Sequence, residues 1–225
     1  MKLFSRPLII NLKNYLEIGG NDSIKFARKA TGVQKKYDVD IIISPPISSL
    51  LAVSNITKLP VVSQHVDDEY VGPSTGFTVP EIIKSCGAVG SIINHSEHKI
   101  DLLTVKNLIK RLRGLDLISI VCAADVGEVN KISSFSPDYI AIEPPELIGK
   151  GIAVSKANPS IISMSVKAVR NNSTTTRVLC GAGIVNKSDV TKALELGADG
   201  ILVASGIIKS SSWYHKIEEL SSAFV

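Results

Sequence analysis

Two side chains in this sequence are suited to moving a proton, and each follows a run of apolar residues. Glu143 comes directly after Tyr139-Ile140-Ala141-Ile142, where burial would raise the carboxyl pKa and make it a usable base. His95 follows Ile92-Ile93-Asn94 and precedes Ser96, which reads as the N-cap of the next helix. An imidazole facing the start of a helix is disfavoured as a cation. His95 would then serve as a neutral donor able to polarise a carbonyl. Asn11 and Lys13 follow a third run, and their spacing of two puts both on one side of a strand end. A lysine there suits a phosphate or a developing oxyanion. Taken singly, these residues also have plain readings: Lys13 as a solvated surface lysine, His95 as a loop hydrogen bond. His65 reads as ordering its own loop, and His98 and His215 as structural or exposed.

Three glycine-containing segments follow other runs. Glu143-Pro144-Pro145-Glu146-Leu147-Ile148-Gly149-Lys150-Gly151 is stiff at one end and free at the other, the composition of a hinged lid or of an ordinary Pro/Gly turn. Cys180-Gly181-Ala182-Gly183-Ile184 and Val203-Ala204-Ser205-Gly206-Ile207 are built from small residues. Such loops let backbone N–H groups close around an anion.

The elements that must carry these residues repeat along the chain. The runs Leu8–Asn11, Val39–Ile43, Pro60–Ser63, Val89–Asn94, Asp116–Cys122, Tyr139–Ile142, Arg177–Cys180 and Gly200–Val203 are nearly continuous in apolar character. Strands of that kind are covered on both faces. Segments of helical period lie between them. Thr78-Val79-Pro80-Glu81 reads as a capping box with Pro in the first turn. Asn158-Pro159 opens another helix, and Asn186-Lys187-Ser188-Asp189 opens one that Gly197 closes. Eight strand–helix units with right-handed crossovers make an α/β protein, either a closed (β/α)₈ barrel or an open doubly wound sheet. The regular count favours the barrel, and no Gly-x-Gly-x-x-Gly follows the first strand. No linker or composition break divides residues 1–225, which reads as one domain. In either architecture the ligand site lies just past the strands, where the residues above fall.

Composition narrows the class. Apolar residues make up 44% and charged residues 20%, which argues against disorder. The net charge of +4 comes without a block of Lys or Arg, so no nucleic-acid surface is expected. Cys86, Cys122 and Cys180 are widely spaced with no metal-ligand pattern and suit a reducing compartment. The first residues lack a signal-peptide core and no run is long enough to span a bilayer. A cytoplasmic protein without membrane association is expected.

Along its whole length the chain resembles triosephosphate isomerase of the short, archaeal type. The resemblance rests on Asn11-Leu12-Lys13, Asn94-His95-Ser96-Glu97, Glu143-Pro144, Cys180-Gly181-Ala182-Gly183 and Ala204-Ser205-Gly206, in that order. It implies the single-domain TIM barrel fold and the interconversion of dihydroxyacetone phosphate and D-glyceraldehyde 3-phosphate through an enediolate, a step of glycolysis and gluconeogenesis. It implies Glu143 as the base, His95 as the electrophile, and Asn11 and Lys13 as further catalytic and substrate-anchoring groups; for Glu97 it implies support of the lysine, and a plain acid in the first turn of a helix is an equally good reading. Ile148 and Gly149 in a closed lid, Gly183, Ala204 and Ser205 would hold the phosphate. No metal or organic cofactor is implied. The segment from His65 to Phe77 is long for a barrel connection, and in the family the corresponding loop docks into a neighbouring subunit; a homo-oligomer, dimer or tetramer, is expected. Two positions depart from the family: Lys150 between the lid glycines, expected to point to solvent and leave the chemistry alone, and Ile142, where tyrosine is common. Two other readings share part of the pattern. Another phosphate-binding barrel isomerase or synthase would have the two glycine loops, and a catalytically silent sugar-phosphate sensor would need neither base nor electrophile.

Overall fold

The computed structural model describes residues 3–144 and 158–225. Eight strands form one parallel sheet: β1 (Leu8–Asn11), β2 (Ile41–Ser44), β3 (Val62–Ser63), β4 (Gly90–Ile93), β5 (Ile118–Ala123), β6 (Tyr139–Ile142), β7 (Arg177–Cys180) and β8 (Gly200–Val203). The order β2-β1-β8-β7-β6-β5-β4-β3 is joined end to end by a single parallel bridge between Ile43 and Val61, which closes the sheet into a barrel. Helices lie between the strands, among them α1 (Asn21–Tyr37), α2 (Leu50–Ile56), α3 (Pro80–Ser85), α4 (Leu102–Gly114) and α5 (Val126–Ser133). They continue with α6 (Pro159–Asn172), α7 (Lys187–Glu195), α8 (Ser205–Ile208) and α9 (Trp213–Ser221). A (β/α)₈ barrel is therefore the fold.

The two-residue alternation of each strand separates two cores. Ile9, Ile42, Val62, Ile92, Ile120, Cys122, Tyr139, Ala141, Leu179 and Leu202 fill the inside of the barrel. Their neighbours, such as Leu8, Ile10, Ile41, Ile43, Ile93, Ile140 and Ile142, pack outward against the helices. The helices bury the matching stripe: Phe26, Ala27, Ala30 and Val33 from α1, and Val105, Leu108, Ile109 and Leu112 from α4. Tyr139 places a large polar-tipped side chain in the inner core, and its hydroxyl donates to the Phe4 carbonyl at 2.7 Å.

The strand limits differ from the sequence reading where the backbone forbids pairing. Pro60 has no N–H to donate and β3 shrinks to Val62–Ser63, while Asp116 and Asn94 have φ of 55° and 59° and fall outside β5 and β4. The capping box expected at Thr78 is absent. Val79 is the N-cap of α3, the Thr78 N–H goes to Asp67 Oδ2 at 2.7 Å, and Glu81 is taken by Arg111 at 2.7 Å. Pro80 does occupy the first turn. Asn186 and Asp189 form a reciprocal capping box on α7, and Gly197 follows it with φ of 95°. Ser96 does not cap a helix. Residues 95–98 make a single turn, closed by the His98 N–H on the His95 carbonyl, and α4 begins only at Leu102 under the cap of Asp101.

Candidate active site

Past the carboxyl ends of the strands lies a cavity of about 300 Å³. Asn11, Lys13, His95, Glu143, Gly183, Ala204 and Ser205 all line it. These seven positions, expected from sequence, come together from β1, β4, β6, β7 and β8. Ile148 and Gly149, and with them the lid and Lys150, lie outside the described residues.

The inward phase of the strands explains two of the placements. Ile9 and Asn11 share a face, as do Tyr139, Ala141 and Glu143, so the last member of each series tops the inner core. Glu143 is only 3% exposed. Burial pushes its carboxyl up to about 7, against a hydrogen bond from the Cys122 thiol and the charge of Lys13, both of which favour the carboxylate. Its Oε2 has no hydrogen-bond partner among the described residues. Behind it, a gap too small for water is lined by Ser96, Lys99, Cys122, Ala123, Ala124 and Glu143, and Ser96 Oγ likewise has no hydrogen-bond partner among the described residues.

His95 Nε2 sits 3.5 Å from Glu143 Oε2. The Glu97 backbone N–H donates to His95 Nδ1 at 3.1 Å. Because that donor is fixed, Nδ1 must be an acceptor and the ring proton must lie on Nε2, facing the cavity. Burial first, and then the charge of Lys13, lower the imidazole to about 4. Both causes, desolvation and a neighbouring cation, favour the neutral ring, and no helix begins at this turn to add a dipole.

Lys13 has φ of 50°, a left-handed conformation held by its N–H on Asn11 Oδ1 at 2.9 Å. With its oxygen so occupied, Asn11 has its amide nitrogen left to donate. Lys13 Nζ is bonded to Glu97 Oε1 at 2.7 Å. Gln64 secures the same strand end by donating to the Lys13 carbonyl at 3.0 Å and the Ser44 carbonyl at 3.3 Å.

The far end of the cavity is formed by backbone. Gly183 has φ of 71°, and Ala204, Ser205 and Gly206 begin α8. A Cβ on Gly206 would stand 2.5 Å from the Ile184 carbonyl, and one on Gly181 would stand 2.5 Å from Glu143 Cγ. Lys209 lies over the Tyr15 ring at 5.2 Å, and both line the cavity. Sequence reasoning missed Tyr15, Gln64, Cys122, Gly181 and Lys209 as site residues. Gln64 stands directly past β3 and was findable by the rule that found the others. Gly181, the first residue past β7, was findable in the same way; Tyr15 and Lys209 lie in the connections after β1 and β8, and Cys122 alone arrives through the pairing of β5 with β6. His65, by contrast, bonds Asp67 at 3.2 Å and stacks on His98 with ring centroids 3.8 Å apart, and His215 is exposed. Among the described residues no group of three or more His, Cys, Asp or Glu is placed to hold a metal ion.

A barrel with a high-pKa carboxyl beside a neutral imidazole donor, and small-residue loops opposite, defines an acid–base enzyme of small-molecule metabolism. The sequence model described as triosephosphate isomerase matches residues 7–220. The chain is 49% identical over 219 residues to the triosephosphate isomerase of Cenarchaeum symbiosum, covering 97% of this chain and 98% of that one. It is 43% identical to that of Methanothermus fervidus and 40% identical to that of Methanocaldococcus jannaschii, each over at least 95% of both chains. The chain belongs to the triosephosphate isomerase family.

Proposed function

We propose that this chain interconverts dihydroxyacetone phosphate and D-glyceraldehyde 3-phosphate by moving one proton between adjacent carbons. The observation that carries the reading is the facing pair: a buried carboxyl with a pKa near 7 and an Nε2–H donor 3.5 Å away in one small cavity. A carbon acid next to a carbonyl needs a base of that strength and a donor at the oxygen that gains charge. In the reading, Glu143 in its carboxylate form takes a proton from C1 of dihydroxyacetone phosphate, and the C2 carbonyl becomes an enediolate. His95 Nε2–H and the Asn11 amide hydrogen-bond its oxygens while Lys13 supplies a positive charge. Glu143 then returns the proton to C2, and transfer between the two oxygens completes the aldehyde. A neutral imidazole is the better-matched donor here, as the handling of pKa in this enzyme family illustrates in general. Backbone N–H groups at Gly183 and at the start of α8 suit the phosphate, since first-turn N–H groups have no intrahelical acceptor. Ala204 and Ser205 flank it.

A coupled assay on glyceraldehyde 3-phosphate tests the reading. Glu143→Gln is expected to lower kcat by about 10³-fold or more while a triose-phosphate analogue still binds. A wild-type protein inert towards both trioses would reject it.

The same reading extends to assembly and place. Tyr70, Val71 and Phe77 of the loop after β3 are exposed, and so are Leu16, Ile47 and Leu51 from the connections after β1 and β2. Apolar exposure of this extent suits a contact with a second copy of the chain. Beside the active site, a hollow of about 680 Å³ lined by residues including Asn14, Gln64, Phe77, Glu97 and His98 is the natural receptor for a partner's loop. The assembly is read as a homo-oligomer of dimer or tetramer form, acting in the cytoplasm. No helix among the described residues is long and apolar enough to cross a membrane.

A further inference from the structure

Strand alternation along β4 sends Ile92 into the barrel and Ile93 outward. Continued unbroken, it would point Asn94 into the cavity and His95 away from it. The reverse is found. His95 lines the cavity, and Asn94 is fully buried with its side chain directed at β5 and α5. The break is at Asn94 itself, whose φ of 59° lies in the left-handed region that asparagine tolerates better than most residues.

The Asn94 side chain holds that conformation from three directions. Its Nδ2 donates to the Cys122 carbonyl on β5 and to Glu128 Oε1 on α5, each at 2.9 Å. Its Oδ1 accepts the Ile100 N–H at 3.2 Å. Glu128 also accepts Lys99 Nζ at 2.7 and 2.8 Å and the Ala124 N–H at 2.6 Å. The segment 94–100, which carries His95 in its first turn, is thus fastened at its start through Asn94 and at its end through Lys99 and Ile100. None of these four groups lines the cavity.

We propose that Asn94, clamped by Glu128, is a positioning residue that turns the His95 imidazole towards the substrate. The inference rests on the isomerase reading for its kinetic consequence, but the placement of the ring can be measured without substrate. Asn94→Gly permits the same backbone and removes all three bonds. Asn94→Asp keeps the acceptor but sets a second carboxylate against Glu128. Glu128→Gln, at a half-buried position, weakens the clamp from the other side and serves if either Asn94 variant fails to fold.

Nitrogen NMR of histidine-labelled protein, with His95 assigned by its loss in His95→Gln, reads the tautomer directly. The wild type should give one Nε2–H form, and the clamp variants a mixed or shifted signal. With glyceraldehyde 3-phosphate, kcat should fall by about 10- to 100-fold with KM changed less than about threefold. An unchanged tautomer signal in the folded variants, or a kcat within about twofold of wild type, would overturn the proposal. A kcat that falls only in step with the folded fraction would do the same. Should the wild type itself be inert towards trioses, the function fails, and the NMR comparison still decides whether Asn94 sets the ring.

Discussion

Between about pH 4.5 and pH 6.5 burial favours a proton on Glu143 and none on His95, the opposite of what the free side chains do. Unfolding moves that proton from the carboxyl to the imidazole without changing the total. The two linkages therefore oppose each other. Glu143, raised from 4.5 to about 7, contributes stability below pH 4.5 that is lost as the pH rises through 7. His95, lowered from 6.5 to about 4, contributes stability above pH 6.5 that is lost as the pH falls through 4. Each spans about 3 kcal/mol, and together they nearly cancel. Single substitutions should unmask them. In Glu143→Gln the melting temperature is expected to climb from pH 4 to 6.5 relative to wild type, and in His95→Asn to fall from pH 4.5 to 7. Calorimetry across that range checks both; parallel profiles for the three proteins would reject the assignment. Activity follows the base alone, so kcat/KM should rise with pH through about 7 as Glu143 ionises.

At the level of elements, the exit of β7 presses against the exit of β6. Gly181 leaves only enough room for Glu143 Cγ, and a methyl group there would meet it at 2.5 Å. Gly181→Ala should displace the base and lower kcat by about 100-fold, with melting little changed because the residue lies beyond the strand. A kcat near wild type would mean that the carboxyl tolerates the shift. The same scale shows what could be read from the sequence. β1, β6, β7 and β8 match their apolar runs residue for residue, and Asn11 and Glu143 follow from strand phase. The chain's own signals failed where a distant partner took over: Asp67 and Arg111 dismantled the capping box at Thr78. Cys122 reaches Glu143 from the adjacent strand, 21 residues earlier, and nothing local announces such a contact.

For the whole molecule, the net charge of +4 suits a protein that takes anionic substrates, and its exposed apolar residues gather on the connections after β1, β2 and β3. If those connections meet a second copy, Val71→Asp should shift the mass measured by light scattering towards that of one chain. Kinetics would suffer with it, because the hollow lined by Glu97 and His98 adjoins Lys13 and His95. A wild type that already runs as one chain would remove the idea. The barrel is also unequal around its girth. Seven strand pairs share continuous ladders, whereas β2 and β3 meet through the lone Ile43–Val61 bridge. Such a hoop parts first at its thinnest weld. Amide deuteration is expected to reach Ile43 sooner than Ile10 or Ile120, although all three are equally hidden from water. His95 and Glu143 stand on staves away from that weld, so transient gaping of the wall should leave the reacting pair undisturbed.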